Sequence, residues 1–547
     1  MFINNSNMNT SLNERLLKSE INEDLDNTID ESEIVHTPCN KTLIQIYNYF
    51  FYKGYYNIVY LQIFSLFNSL FMILFLNFLF NCVDYNGLSK LRVNEDNVGN
   101  YINFDNFYKT NFIYIFTTII IFMYIVVRLI GIVNDIKDYY KIKKLYEKKL
   151  NIDNRKIDTI TWDEIVRQIE IIYGNEYNIY NTNMKIMKKD NIITSILSTN
   201  INKFLYSRLI EWNIIYCIFD VIIDKNNKIN DNLHNNKDKL VKKIKKNLYT
   251  VALLTYLFMP LLIIYLFFYS LLKYGEKFYN NPSKIVSKQW SLKAKWKIRY
   301  YNELKHDLKE RLNYSSQYAS AYSNLFNYNI IETIMKFVIF ILSSFFIVLL
   351  LLSFYNEHLL LNLNISKNKP ILWYLGILGS IIAIGKNIIK DKNWDKINCI
   401  EKLTSSIRYL PKDFKDEYNS IEMKKKITSI FEYQIYTFFK EYFSVLIIPY
   451  TLLVLTHYVE NILDVILNNL EYDNTLGYID KNSNFRTLNE KSNDKKVISF
   501  SEFRIKYPDW GTNIELYQLG NNSKLFNRDV NINLKMHTTY DSNISII

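Results

Sequence analysis

Six charged side chains lie at the edges of long apolar runs. Arg128, Lys336 and Lys386 each sit a turn or two inside the end of one. Glu276 and Lys277 closely follow another, and Glu441 directly precedes a further one. A charge held in hydrocarbon costs about 2.5–3.5 kcal/mol on insertion scales, and more than ~10 kcal/mol in simulations. Two uses suit such groups. The basic ones snorkel to the membrane interface, and the others act as solvated caps or salt-bridge partners. Alternatively they attract lipid phosphate at the mouth of a polar path. A path of that kind needs polar groups at membrane depth, but no nucleophile, metal or nucleotide. The rest of the chain offers little covalent chemistry. It has no nucleotide-binding P-loop, no Gly-rich phosphate cradle and no acid pair at catalytic spacing. Cys39, Cys82, Cys217 and Cys399 are scattered without a CxxC pair, and the six histidines are dispersed, so no metal site or disulfide framework is expected. No cofactor and no enzymatic activity are expected.

The elements that must position these groups are read from hydropathy and charge. The 547 residues are 49% hydrophobic and 16% aromatic, with net charge +12 and mean hydropathy −0.09. Averages of this kind suit several soluble domains, but the apolar residues are gathered into uncharged runs. With 12 Gly and 7 Pro, collagen-like and Pro/Gly-rich disordered classes are excluded. Asn, Lys, Ile and Tyr are abundant everywhere, which reads as genome base-composition bias, so they are discounted as functional signals. Residues 134–247 hold 22 Lys/Arg, 273–333 hold 11 and 390–441 hold 11, against three in 81–111 and two in 354–370. Basic connections favour the cytoplasmic side. Spans are therefore expected at 58–80, 112–133, 334–354 and 371–389, in two hairpins with lumenal loops. The 248–272 run has basic sequence on both sides and a central Pro260. It is expected to be a re-entrant hairpin bent at that proline, with an ordinary kinked span as the alternative. The 442–456 run is shorter and centred on Pro449, so it reads as a second re-entrant element. Tyr55, Tyr56, Tyr60, Tyr269 and Trp373 fit interfacial belts.

The fold class expected is an all-α polytopic membrane protein: four transmembrane helices, two re-entrant segments and a helical cytosolic layer. The membrane core is 43–470, with cytosolic helices in 138–247, 273–333 and 390–441. A cytosolic segment follows at 471–519. The polar ends, 1–42 and 520–547, are expected to be disordered and cytosolic, without a signal peptide. Thr161 with Glu164 forms a capping box for a helix from Trp162. Residues 203–223 suit a helix at the interface or packed on the cytosolic layer. Residues 284–312 read as one long basic helix, which would place Arg299, Glu303 and His306 on one face at i, i+4 and i+7 as an ion-pair network. The run Lys242–Lys246 would lie at anionic headgroups, at ~1 kcal/mol for each basic side chain. Nucleic acid is not an expected partner, because the basic clusters flank membrane segments. Asn364 heads a glycosylation sequon too close to the membrane for use.

Several blocks, in order, carry a resemblance to a known family. They are LFNCVDY at residues 79–85, the Trp162-led helix, and RLIEWN at 208–213, which contains Glu211. Next is WSLKAKWKIRYYNELKHDLKERL at 290–312, which holds Trp290, Arg299, Asn302, Glu303, His306 and Arg311. WYLGILGSIIAIGK at 373–386, Tyr409–Pro411 and a final KYPDW complete the set. The chain resembles the autophagy-related protein 9 family. It departs at Ser444-Val445, where the family usually has Ser-Pro, and at Lys386, usually Arg. The resemblance implies a domain-swapped homotrimer with a central pore and lateral branches, both termini cytosolic. It also implies ATP-independent phospholipid scrambling on Golgi- and endosome-derived vesicles and at the phagophore assembly site. Partners would be phospholipids, lipid-transfer proteins of the autophagy-related protein 2 type, and other autophagy factors. In that frame Glu211, Pro260, Trp290, Arg299, Asn302, Glu303, His306, Arg311 and Pro449 are structural or trimer-core residues. Rival readings are a channel or transporter using the same pore, and a scaffold that organises autophagy vesicles.

Overall fold

A computed structural model describes residues 38–89, 102–103, 112–197, 203–224, 227–229, 236–280, 287–325, 329–355, 364–366, 369–388, 396–407, 421–487 and 494–510. The chain divides into two units, Met1–Cys39 and Asn40–Ile547, and the fold described is that of the second.

Helix α1 (Asn40–Phe51) and α2 (Tyr55–Asn77) meet at Gly54. The glycine adopts φ +101°, and a Cβ there would stand 2.5 Å from Asn154 Oδ1; only a residue without a side chain makes this turn. A π-helical turn, Phe78–Cys82, ends α2. Helix α3 (Phe112–Lys148) is one uninterrupted rod, so the second apolar run and its basic extension are continuous. It pairs antiparallel with α2 through Gln62–Asp135 and Ser65–Arg128 hydrogen bonds. The Thr161 capping box is present at α4 (Trp162–Tyr173).

Helix α5 (Ile179–Leu197) is the buried centre of the polar layer, with sixteen of its nineteen residues buried. It is followed by α6 (Arg208–Ile214), a π turn (Ile215–Phe219) and the single turn Asp220–Ile222. This 208–222 stretch buries Ile210, Ile214, Cys217, Ile218, Phe219 and Ile222 and leaves Trp212 and Tyr216 exposed.

Helix α7 (Lys237–Asn280) contains Pro260 and does not reverse there. At 1.5 Å rise per residue it is about 66 Å long. Strand β1 (Lys288–Trp290), α8 (Leu292–Ile298), α9 (Lys305–Leu325) and α10 (Asn329–Tyr355) follow. The expected single helix over 284–312 is therefore corrected. Residues 299–304 are non-helical, and Asn302 sits at φ +60°. The short strands β2 (Asn364–Ser366) and β3 (Lys369–Pro370) precede α11 (Ile371–Ile388). Helices α10 and α11 pack antiparallel, with Gly379 against Phe346 and Gly385 against Ile339 and Met335.

Helices α12 (Lys396–Ile407) and α13 (Ile421–Ile430) lead to β4 (Phe431–Tyr433), which pairs antiparallel with β1 in the register Trp290↔Phe431. Helix α14 (Gln434–Asn469) carries Pro449 inside it, again without a reversal. Both expected hairpins are thus single helices. One proline removes one hydrogen bond and bends a helix; it does not require the chain to turn back where a partner helix supports both halves. The partners are each other. Lys237–Asp464, Lys245–Glu460 and Phe267–Tyr442 contacts set α7 and α14 antiparallel. Each proline stands seven residues from the Phe267–Tyr442 contact, so the two bends lie at one level. The hairpin β5 (Leu470–Asp473) and β6 (Gly477–Asp480) and α15 (Asp494–Lys506) close the described chain.

Among the described residues four helical stretches are long and apolar enough to cross a membrane: Tyr55–Cys82, Lys237–Leu272, Thr333–Phe354 and Gln434–Asn469; Ile371–Lys386 is a shorter apolar helix. None of the apolar window of Thr333–Phe354 is buried within the chain, whereas half that of Gln434–Asn469 is. The first must be covered from outside; the second is partly a core helix.

Candidate lipid path and its buried anchor

The 290–312 block folds into a buried polar anchor between α8 and α9. Arg299 ends α8 in an extended conformation and its Nη2 donates to Asp190 Oδ2 on α5 at 2.9 Å and to the Glu303 carbonyl at 3.3 Å. Glu303 takes a two-pronged bond from Arg311, Nε at 2.7 Å and Nη2 at 2.8 Å, and also accepts the Tyr300 N–H at 2.9 Å. The Arg311 guanidinium lies 3.9 Å over the Tyr300 ring and reaches the carbonyls of Ile298 and Ser406. The ion-pair network is present, but its pairs differ from those expected of one helix face. The break at 299–304 turns Arg299 toward α5 and leaves Glu303 to Arg311.

Asn302 and Asn191 bond reciprocally: Asn191 Nδ2 donates to Asn302 Oδ1 at 2.7 Å, and the Asn302 N–H donates to Asn191 Oδ1 at 2.9 Å. Asn302 Nδ2 also donates to the Ser483 carbonyl at 2.9 Å. The left-handed conformation at 302 suits Asn, whose short amide bonds locally. The Tyr47 hydroxyl lies 3.0 Å from His306 Nδ1 and accepts the His306 N–H at 3.2 Å, tying α1 to α9. Burial holds the His306 imidazole below its ordinary value. Trp290 Nε1 donates to the Leu312 carbonyl at 3.2 Å, with its ring 4.9 Å from Phe431. Trp296 Nε1 donates to Glu211 Oε1 at 2.5 Å, and burial pushes that carboxyl up.

All these bonds lie within one chain. They gather α5 and α6, which precede α7, with the α8–α9 link, which follows it. The same layer receives both ends of α14: β4 pairs with β1 before it, and Ser483 bonds Asn302 after it. Helix α5, with Asp190 and Asn191, carried no sequence-level flag. Its Lys185, Lys188 and three asparagines dilute its apolar character, and asparagine had been discounted as compositional.

The membrane-edge charges fall in three places. Arg128 is half-buried between α3 and α2, with Nη2 donating to Ser65 Oγ at 2.7 Å. It links two apolar helices and does not simply extend to solvent. Lys336 and Lys386 are exposed, and the Gly385–Met335 approach puts them at the same end of the α10–α11 hairpin. Glu441, near the start of α14, accepts the Arg208 N–H at 2.9 and 3.1 Å and so caps α6. The backbone of Glu276 and Lys277 continues α7, and their side chains lie outside the described residues. Aromatic contacts join the pairs: Phe80 to Phe268, and Phe267 to Tyr442. Arg128, Lys336 with Lys386, and Glu441 are thus held by three different helical pairs. What the arrangement can do chemically is present polar groups at the flanks of apolar helices; it brings together no nucleophile and base.

Comparison with known proteins adds to this geometry. Autophagy-related protein 9 of Dictyostelium discoideum is 28% identical over 529 residues, covering 89% of this chain and 75% of that protein. Autophagy-related protein 9 of Saccharomyces cerevisiae is 24% identical over 485 residues, covering 83% of this chain and 48% of that protein. The chain thus spans about half the length of the yeast relative. The cryo-EM structure of Schizosaccharomyces pombe Atg9 superposes with a TM-score of 0.60 at 21% identity, covering 81% of this chain and 97% of that one, a likeness of fold. The family profile described as Autophagy protein ATG9 matches residues 40–486. That match takes in the buried anchor and every apolar helix, and the chain belongs to this family of autophagy proteins.

Proposed function

We propose that the chain is an ATP-independent phospholipid scramblase that equilibrates lipid between leaflets as the autophagosome membrane forms and expands. Flip-flop is slow because the headgroup must leave water for hydrocarbon, and a protein accelerates it by offering polar groups along the way. The observation that carries the reading is Arg128, a cation bonded to Ser65 between two apolar helices. Lys336 and Lys386 would draw lipid phosphate at the membrane edge, and no chemical bond is made or broken.

In this reading α7 and α14 lie together obliquely in one leaflet, with both ends of each at the cytosolic face. Support comes from the buried anchor, which holds the sequence on both sides of each helix in one polar layer. The proline bends at one level let the pair follow that oblique course. Both termini are then cytosolic, and the protein resides on Golgi- and endosome-derived vesicles and at the phagophore assembly site. It works there as a homotrimer, receiving lipid from a transfer protein of the autophagy-related protein 2 type. The largely exposed apolar faces of α2 and α10 leave room for both lipid and partner subunits.

Reconstitution tests the activity. Purified protein in liposomes carrying fluorescent phospholipid should let a membrane-impermeant reductant bleach label from both leaflets. Bleaching of the outer leaflet alone, with folding confirmed, overturns the reading and favours a vesicle scaffold. Selective ion conduction without lipid exchange favours a channel.

A further inference from the structure

A cleft of about 210 Å³ opens where α6, β1 and the start of α8 meet the first turns of α14. Five basic side chains line it: Lys203, Arg208, Lys293, Lys295 and Lys440. The two carboxylates facing them are both engaged within the protein. Glu432 accepts from Lys440 at 2.8 and 3.0 Å, and Glu441 accepts the Arg208 backbone N–H. Positive charge therefore exceeds negative, and part of it is strained. Lys295 is half-buried, and its ammonium is pushed down first by burial and then by the Arg208 guanidinium, against Glu211, which offsets only part of the shift. Like charges so placed are relieved by an anion between them.

The cleft borders a lipid-like surface. Tyr436, Phe439, Phe443, Leu446 and Tyr450 of α14 are all exposed and recur at helical spacing beside the Thr437, Lys440 and Glu441 face that lines the cleft. A free phosphate would use the basic cleft only. An amphiphile would use both.

We propose that this cleft binds the phosphate of an acidic glycerophospholipid headgroup, with the acyl chains laid along the apolar stripe of α14. The inference rests on the reading that α14 is embedded in the membrane, and it does not depend on lipid transfer. It adds a holding site to the path, at the junction of polar layer and membrane pair, away from Arg128, Lys336 and Lys386.

The test measures binding of fluorescent dioctanoyl phosphatidylinositol 4-phosphate to the full chain in detergent, by anisotropy. Lys293→Gln with Lys295→Gln should weaken binding by roughly tenfold or more, since each lysine near an anionic headgroup contributes separately. Unchanged affinity in that variant overturns the cleft assignment. Inositol 1,4-bisphosphate, which has the phosphates and no chains, should compete at least about tenfold more weakly, because it forfeits apolar burial. Equal competition overturns the lipid assignment in favour of a soluble phosphate. Thermal unfolding checks the fold of the double variant; should it fail, Lys203→Gln, at an exposed position, carries the same test. Scrambling by the variants is measured separately. Binding without scrambling in the parent protein would overturn the scramblase reading and leave this one standing.

Discussion

Arg311 is the most committed side chain of the buried anchor, forked onto Glu303, stacked on Tyr300 and bonded to two carbonyls. Removing one partner of a buried pair strands the other charge, at about 3–5 kcal/mol. Arg311→Leu should therefore lower the unfolding temperature of the purified protein sharply. Glu303→Gln combined with Arg311→Leu should recover part of the loss, and strict additivity would deny the coupling. His306 gives a pH dependence. Its folded pKa lies below 6.5, because burial disfavours the imidazolium and Lys506 and Lys53 add to the effect against Asp307. Below 6.5 the unfolded chain then binds more protons than the folded one, so stability is complete above that value and falls as pH drops through it. His306→Gln should flatten the fall in unfolding temperature between about pH 7.5 and 5.5; an unaltered slope would assign it to other groups. At this scale the sequence was partly legible. Arg299, Asn302, Glu303, His306 and Arg311 were picked out by their motif, but not their partners. Asp190, Asn191 and Tyr47 are distant in the chain, and their types were too common to stand out.

Elements show the same division. The capping box at Thr161 and the second apolar helix with its basic extension were readable because a cap and a long uncharged run are local. The break at 299–304 was not, since its cause is tertiary: Asn302 is pulled into a left-handed turn by bonds to α5 and Ser483. Pro260 and Pro449 were legible as bends, but the path on either side is decided by the pairing of α7 with α14. The Gly54 turn allows a direct test. Gly54→Ala would strain a φ of +101° and press on Asn154, at about 1–3 kcal/mol; an unfolding temperature equal to the parent's would remove the constraint. For the α10–α11 hairpin, Lys336→Leu with Lys386→Leu should slow scrambling several-fold in the bleaching assay. Unchanged kinetics would make both residues simple interfacial anchors.

At the scale of the molecule, one polar layer receives the chain before and after each proline helix. A buried network of hydrogen bonds is not expected to lie on two sides of a bilayer, so in the proposed reading the connections flanking α7 share a side. Single cysteines at Lys228 and Lys293, both exposed, with Cys39 replaced and the other described cysteines buried, make this measurable. An impermeant maleimide should label both from the cytosolic face of sealed vesicles. Labelling from opposite faces would make α7 an ordinary span.

The sequence by itself determined the membrane character, the basic asymmetry and the family, because hydropathy, charge and ordered motifs are properties of the chain in order. Tertiary structure alone decided that the proline runs are two long paired helices and that α5 is the buried hub. It also decided that the charges of the 290–312 block bond outward as well as to each other. The first rests on ion pairs and a ring contact between groups far apart in the chain, the others on buried hydrogen bonds between α5 and the 299–304 link, and no local pattern records which partners prevail.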